Sequence, residues 1–273
     1  TELGNTDKIY ALIQECSRMN IEVLNPNIQT SDKTFKVNNE SKIEYGLGAI
    51  KGVADTFIKH VCLKRENLNF KDLWDFSKKI DIKLGGKKSL EALSQSGAFD
   101  PLAPSRTIAI KCVKDMLSEN SSNRIDSNLK SGDLFSSIDV DFDPYEKYEN
   151  TPELTLTEKL ELEKKSLGYY LSGHPVLAID NKIQKIRTRK ISQLSSETKS
   201  ASLICLINSI RQIKDRKGKP LTFINFNDGT GTMDGIITSE TLENCHDLLK
   251  EGEILSLKGT IEVDDYRTGD LGS

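Results

Sequence analysis

Apolar residues recur every three or four positions through most of the first 120 residues and alternate in the last quarter of the chain. The first rhythm predicts amphipathic helices, the second half-buried strands. Ile9, Leu12, Ile13, Cys16 and Met19 make one face of a helix expected over residues 5–20. Asn5 or Thr6 can cap it, and Asn20 suits a left-handed stop. Ile21 to Ile28 reads as extended, because the residue before Pro26 avoids the helical region. Phe35–Val37 and Ile43–Tyr45 alternate like two short strands, with Asn38-Asn39 near their turn. A helix opens after Gly52-Val53-Ala54, with Phe57, Ile58, Val61 and Cys62 as its apolar stripe. Residues 70–118 read as shorter helices around Phe70, Leu73, Trp74 and Phe76, the lone tryptophan being core rather than a stacking platform. Gly85-Gly86 interrupts them, Lys87 to Gln95 is helical, and Ser96-Gly97-Ala98-Phe99-Asp100 turns the chain. Ser105 then caps a helix bearing Ile108, Cys112, Val113 and Met116.

Residues 119–150 are poor in apolar side chains and rich in Ser, Asn and Asp, the composition of a linker. Thr155-x-x-Glu158 has the spacing of a capping box and opens a charged helix with Leu156, Leu160, Leu167 and Leu171 expected inward. From residue 199 the pattern is β-rich. Strands are expected over Ala201–Ile213, Leu221–Asn227, Met233–Thr238 and Glu253–Val263, with a helix at Glu240–Leu249. Strand, strand, strand, helix, strand is the order of an OB-fold, a five-stranded barrel. The expected class is α+β: a mostly helical N-terminal part with tandem helix, glycine turn, helix units, then a β-rich OB-like barrel. That barrel is incomplete, because the fifth strand should begin near Asp265.

At 273 residues the chain has room for two compact domains, and its net charge is only −3. Any nucleic-acid surface must therefore be local. Residues 31–118 hold 16 basic against 11 acidic side chains, net +5, and residues 119–165 hold 6 against 12, net −6. The five cysteines stand at least 40 residues apart and the three histidines are scattered, which argues against a zinc site. With no long apolar span or signal segment, the expected setting is cytoplasmic and reducing, without membrane attachment.

Four stretches carry candidate chemistry. The turn Gly52-Val53-Ala54 precedes a helix, whose unpaired N–H groups form an anion site, and Lys51, Lys59, Lys64 and Arg65 surround it with charge. It resembles the helix-hairpin-helix motif, which grips a DNA phosphate through backbone amides without reading bases. Ala54 stands where that motif usually has a second glycine. An ordinary turn before a helix is the other reading. Gly97, Ala98 and Phe99 with Arg106 make a second such unit, and two in tandem supply more phosphate contacts than one. In the linker, Asp133-Leu134-Phe135 is either a peptide anchor for a partner's pocket or a loop folding back on its own domain. Between the first two strands of the β-rich part, Arg211, Lys214, Arg216, Lys217 and Lys219 form a basic loop for single strands. Phe223 and Phe226 face opposite sides of one strand, so one is core and the other free to stack on bases. Asp139, Asp141 and Asp143 alternate as Mg²⁺ ligands would on a strand, but Pro144 and the polar flanks favour an acidic linker. His174 before Pro175 lacks a nucleophile pattern and reads as a structural turn residue.

The order of parts is more specific than any one of them. The Gln14-Glu-Cys-x-Arg-Met helix with its Pro-Asn-Ile exit leads to Tyr45-Gly-Leu-Gly-Ala-Ile-Lys-Gly-Val53 and Ser96-Gly-Ala-Phe-Asp100. Asp133-Leu-Phe135 and Leu167-Gly-Tyr-Tyr-Leu-Ser-Gly-His-Pro175 follow, ahead of the OB-like strands. Together they resemble the bacterial replicative, C-family polymerases, the DNA polymerase III alpha subunits, in the region after the palm. The resemblance implies the end of the fingers over residues 1–45, a tandem helix-hairpin-helix domain over 46–118, and an acidic linker with the clamp peptide over 119–150. A connecting helical segment over 151–198 and a truncated OB domain over 199–273 would follow. It further implies that Lys51, Gly52, Val53, Ala54, Gly97, Ala98, Phe99 and Arg106 face duplex DNA, and that Asp133, Leu134 and Phe135 dock on the sliding clamp. Ser131 stands where that peptide usually begins with Gln. The loop from Arg211 to Lys219, with Phe223, would meet the single-stranded template. Other replicase subunits would be reached through the parent protein. The family's catalytic carboxylates and Mg²⁺ belong to the palm, outside this chain, so no catalytic residue or cofactor is expected here. An interaction scaffold that does not bind DNA itself is the alternative.

Overall fold

The computed structural model describes residues 3–126, 143–183, 188–214 and 220–262. They form two compact units, residues 1–172 and 173–273.

The first unit is helical. Helix α1 (Thr6–Arg18) is capped by Asn5, whose side chain accepts the Lys8 amide, and Asn20 takes the left-handed conformation at φ 56°. Only Ile9 of the expected face is fully buried; Leu12 and Met19 are each 63% exposed. Tyr10 turns that face, its ring stacking 5.4 Å from Tyr169. Strands β1 (Lys36–Val37) and β2 (Ile43–Glu44) pair antiparallel. Helices α2 (Asp55–Arg65), α3 (Leu73–Lys79), α4 (Gly86–Gln95) and α5 (Arg106–Asp126) follow. Phe57, Phe70 and Phe99 all meet Phe76 edge-on, at 6.5, 5.0 and 5.3 Å. Trp74 is buried beside them and donates to the Pro144 carbonyl. Helix α6 (Leu156–Leu167) has the expected capping box, and Gly168 closes it in the left-handed region at φ 96°. Leu160 and Leu167 point inward, but Leu156, at the first helical position, is half-exposed.

The second unit is built on a four-stranded antiparallel sheet of order β5-β4-β3-β6. Strand β3 (Ser200–Lys214) pairs with β6 (Ile254–Thr260) along its first half and with β4 (Pro220–Asn227) along its second. Strand β5 (Thr232–Ile237) pairs with β4. A bulge between Ile207 and Ser209 separates the halves, which lets one long strand serve both neighbours. Helix α7 (Pro175–Ile183) precedes the sheet, and α8 (Ser239–Cys245) lies between β5 and β6, so the order is that of an OB-like half-barrel. Leu203, Cys205, Ile207, Ile224 and Phe226 form its core. The expected clamp-binding residues Asp133, Leu134 and Phe135, with Asp139, Asp141, Arg216, Lys217, Lys219 and the start of the expected fifth strand, lie outside the described residues.

Candidate nucleic-acid interface

The first glycine turn is held at one end of α4. Gly52 has φ 88°, which an L side chain rarely adopts. Ala54 has φ −73°, an extended conformation open to any residue, so its methyl costs no backbone strain. Ser89 braces the turn, accepting the Ala54 amide at 3.1 Å and donating to the Gly52 carbonyl at 3.4 Å. The Lys88 stem lies over Gly52, 3.0 Å from where a Cβ would stand. Lys51 donates its amide to the Ser166 carbonyl at 2.8 Å, and its ammonium end lies against Gly168, at the negative end of α6. In the first turn of α2, Asp55 pairs with Lys33 at 2.5 Å and Lys59 at 2.9 Å. Those two ammonium groups, Lys33 first, hold its carboxyl below the ordinary carboxylate range. Arg65 points away from this turn, donating to the carbonyls of Ile28 and Ser31.

The second glycine turn sits at the other end of α4, a helix of 10 residues and about 15 Å. Here the amides serve the helix end. Ala98 donates to the Leu93 carbonyl at 2.9 Å and Gly97 to Ser94 at 3.2 Å, a Schellman-like closure with Gly97 at φ 85°. Ala98 and Phe99 are fully buried. Arg106 is 6% exposed, its guanidinium pairing with Asp100 at 2.7 Å and Glu163 at 3.1 Å. Burial opposes that charge, but Asp100 and then Glu163 outweigh it and raise the Arg106 pKa. Of the residues expected at the duplex, Lys51, Gly52, Val53 and Ala54 thus cluster at a cationic turn. Gly97, Ala98, Phe99 and Arg106 cluster at one whose side chains point inward.

In the second unit Arg211, Phe223 and Ile236 are cross-strand neighbours on β3, β4 and β5, so they share one face. Arg211 and Lys214 are exposed, Phe223 partly so, and Ile236 is 61% exposed, while Phe226 is buried on the other face. Beside this row runs a polar ladder. Asn208 donates to Asn225 at 2.8 Å, and Asn225 donates to Asp234 at 2.7 Å. Ile236, Asn208, Asn225 and Asp234 on this face, and Lys88 and Ser89 at the first turn, are absent from the sequence-based set. Alternation in β5 marked Ile236; the others are visible only through their partners. Asp143 accepts the Tyr145 amide. His174 accepts the Val176 amide through Nδ1, as a turn residue does. Among the described residues no helix is long and apolar enough to cross a membrane.

Comparison with known proteins adds three findings. A family described as "Helix-hairpin-helix motif" matches residues 20–109, and one described as "OB-fold nucleic acid binding domain" matches residues 206–271. A protein of Pseudomonas fluorescens named DNA polymerase III subunit alpha is 30% identical over 98% of this chain and 24% of its own length. Proteins of the same name are 31% identical in Neisseria meningitidis serogroup A, over 99% of this chain and 23% of theirs, and in Bacillus subtilis, over 96% and 23%. The chain thus spans about a quarter of the length of the relatives it matches.

Proposed function

The chain is homologous over 98% of its length to about a quarter of the DNA polymerase III alpha subunits, and from that premise we propose that it is the DNA-gripping, clamp-tethering part of such a polymerase. The parent is a DNA-directed DNA polymerase of the bacterial cytoplasm; this segment holds DNA and carries no catalysis itself. The observation that supports the grip best is the first turn. Gly52 is braced by Ser89, Lys51 and Lys88 stand beside it, and a helix start follows. Backbone donors and lysines contact phosphate whatever the base, which is what holding a moving duplex requires. The exposed row of Arg211, Phe223 and Ile236 suits a single strand, with bases stacked on the ring and phosphates near the arginine. Asp133, Leu134 and Phe135 tether the chain to the sliding clamp and so raise its effective concentration at DNA.

Fluorescence anisotropy of the 273-residue chain with a short duplex, across a salt series, tests the grip. Sequence-indifferent binding that weakens by about 0.9 log units per tenfold rise in salt for each phosphate contacted is expected. No binding at low salt would overturn the grip and favour the scaffold. The same series on a single-stranded oligonucleotide tests the sheet face, where Phe223→Ala should weaken binding about tenfold or more. A clamp pull-down with Leu134→Ala and Phe135→Ala together should lose the clamp while duplex affinity stays; retained clamp would remove that assignment.

A further inference from the structure

We propose that Glu163 is a positioning residue, which holds the second glycine turn in register with the first through helix α6. The inference rests on the duplex-grip reading above. Glu163 is 1% exposed and sits in α6 three residues before Ser166, whose carbonyl receives the Lys51 amide of the first turn. Its Oε1 accepts from Arg106 Nη1 at 3.1 Å and from the Ser172 hydroxyl at 2.7 Å. Its Oε2 accepts the amides of Leu171 at 3.2 Å and Ser172 at 3.0 Å. Four donors converge on one buried carboxylate, which satisfies it without water.

The arginine so held is what shapes the second turn. Arg106 Nε and Nη2 grip Asp100. Its guanidinium lies so close to Gly97 that a Cβ there would collide with Nη2 and stand 2.8 Å from Cζ. Residues 97–100 are therefore wrapped around a guanidinium whose own position is set from α6. One helical turn of α6 thus binds both glycine turns, one through the Ser166 carbonyl and one through the Glu163 carboxylate. The first turn can meet a duplex together with the rest of this unit only if its spacing from the second is fixed. A buried ion pair gives such specificity of geometry where it gives little net stability.

Glu163→Gln separates this role from simple charge. Removing an acid near DNA should, by electrostatics alone, tighten binding. Positioning predicts the opposite: duplex affinity of the 273-residue chain falls about two- to thirtyfold. The salt slope stays unchanged, because no phosphate contact is itself deleted. Amide hydrogen exchange at Gly97–Asp100 should quicken in the same variant. Arg106→Lys keeps the charge but not the fork, and it should reproduce both effects; it carries the test if the glutamine variant does not fold. A wild-type chain that binds no duplex overturns the grip. A wild type that binds, with folded variants equal to it in affinity and exchange, overturns the brace alone.

Discussion

The two glycine turns at the ends of α4 share a backbone device and differ in everything around it. Gly52 and Gly97 both stand near φ 85–88°. Around Gly52 the neighbours are one serine hydroxyl and the flexible stem of Lys88. Around Gly97 they are the rigid fork of Arg106 and its partner Asp100. The first turn keeps lysines at the surface, where they can neutralise phosphate. The second has its arginine turned inward and its amides closing the backbone end of α4, where the Ala54 amide of the first meets the Ser89 side chain. A repeated motif thus need not repeat its surroundings: one copy has lysines at the surface, the other a buried arginine.

Replacing each glycine by alanine gives the widest separation between them. Gly97→Ala must strain a left-handed residue and displace a guanidinium bound on both sides, so we expect a loss of about 3 kcal/mol. Gly52→Ala meets only a movable lysine stem and should lose about 1 kcal/mol. Urea unfolding followed by Trp74 fluorescence reads both, since that indole is buried in the same unit. Equal losses would mean the surroundings do not distinguish the turns.

The positions of both turns are legible in the sequence, because glycine between apolar helical stripes leaves few alternatives. The strands of the second unit are legible too, from the apolar run Leu203–Ile207 in β3 and the alternation in β5. What surrounds the turns is not legible. Arg106 looks like any basic residue after a turn; its buried partner Glu163 is 57 residues away in the chain. Likewise Ser89 reads as one more polar residue in a helix, although it closes on a turn 35 residues earlier. Leu12 and Met19 fit the apolar face of α1, yet Tyr10 and Ile9 decide which side turns inward. Periodicity gives the stripe, and only tertiary partners choose its edge.

A smaller effect is expected from Lys88→Ala. If Lys88 meets phosphate beside Gly52, the slope of log affinity against log salt should shrink by about 0.9, with affinity lower at every salt. Together with Arg106→Lys, whose slope should not move, this sharpens the division between a contacting and a positioning turn. An unchanged slope for Lys88→Ala would leave the first turn no more cationic in function than the second.

The smallest effect concerns a third glycine turn, in the second unit. Gly229 has φ 83°, and a Cβ there would stand 2.8 Å from that of His174 and 2.9 Å from its ring. The cover is here a titratable group. Burial pushes the His174 imidazole below its ordinary 6.5, with the charge of Asp228 pulling less strongly the other way. A depressed folded pKa means the unfolded chain takes up the proton first. The stabilising contribution is therefore complete above pH 6.5 and is lost as pH falls from there toward the folded value. Hydrogen exchange of the β3 and β4 amides, corrected for intrinsic rates, should show less protection at acid pH, and His174→Gln should remove that dependence. The first unit's amides serve as the internal reference, since neither Gly52 nor Gly97 is covered by a histidine. Protection in β3 and β4 that is flat through pH 6.5 would mean that the ring over Gly229 is as inert a cover as the lysine stem over Gly52.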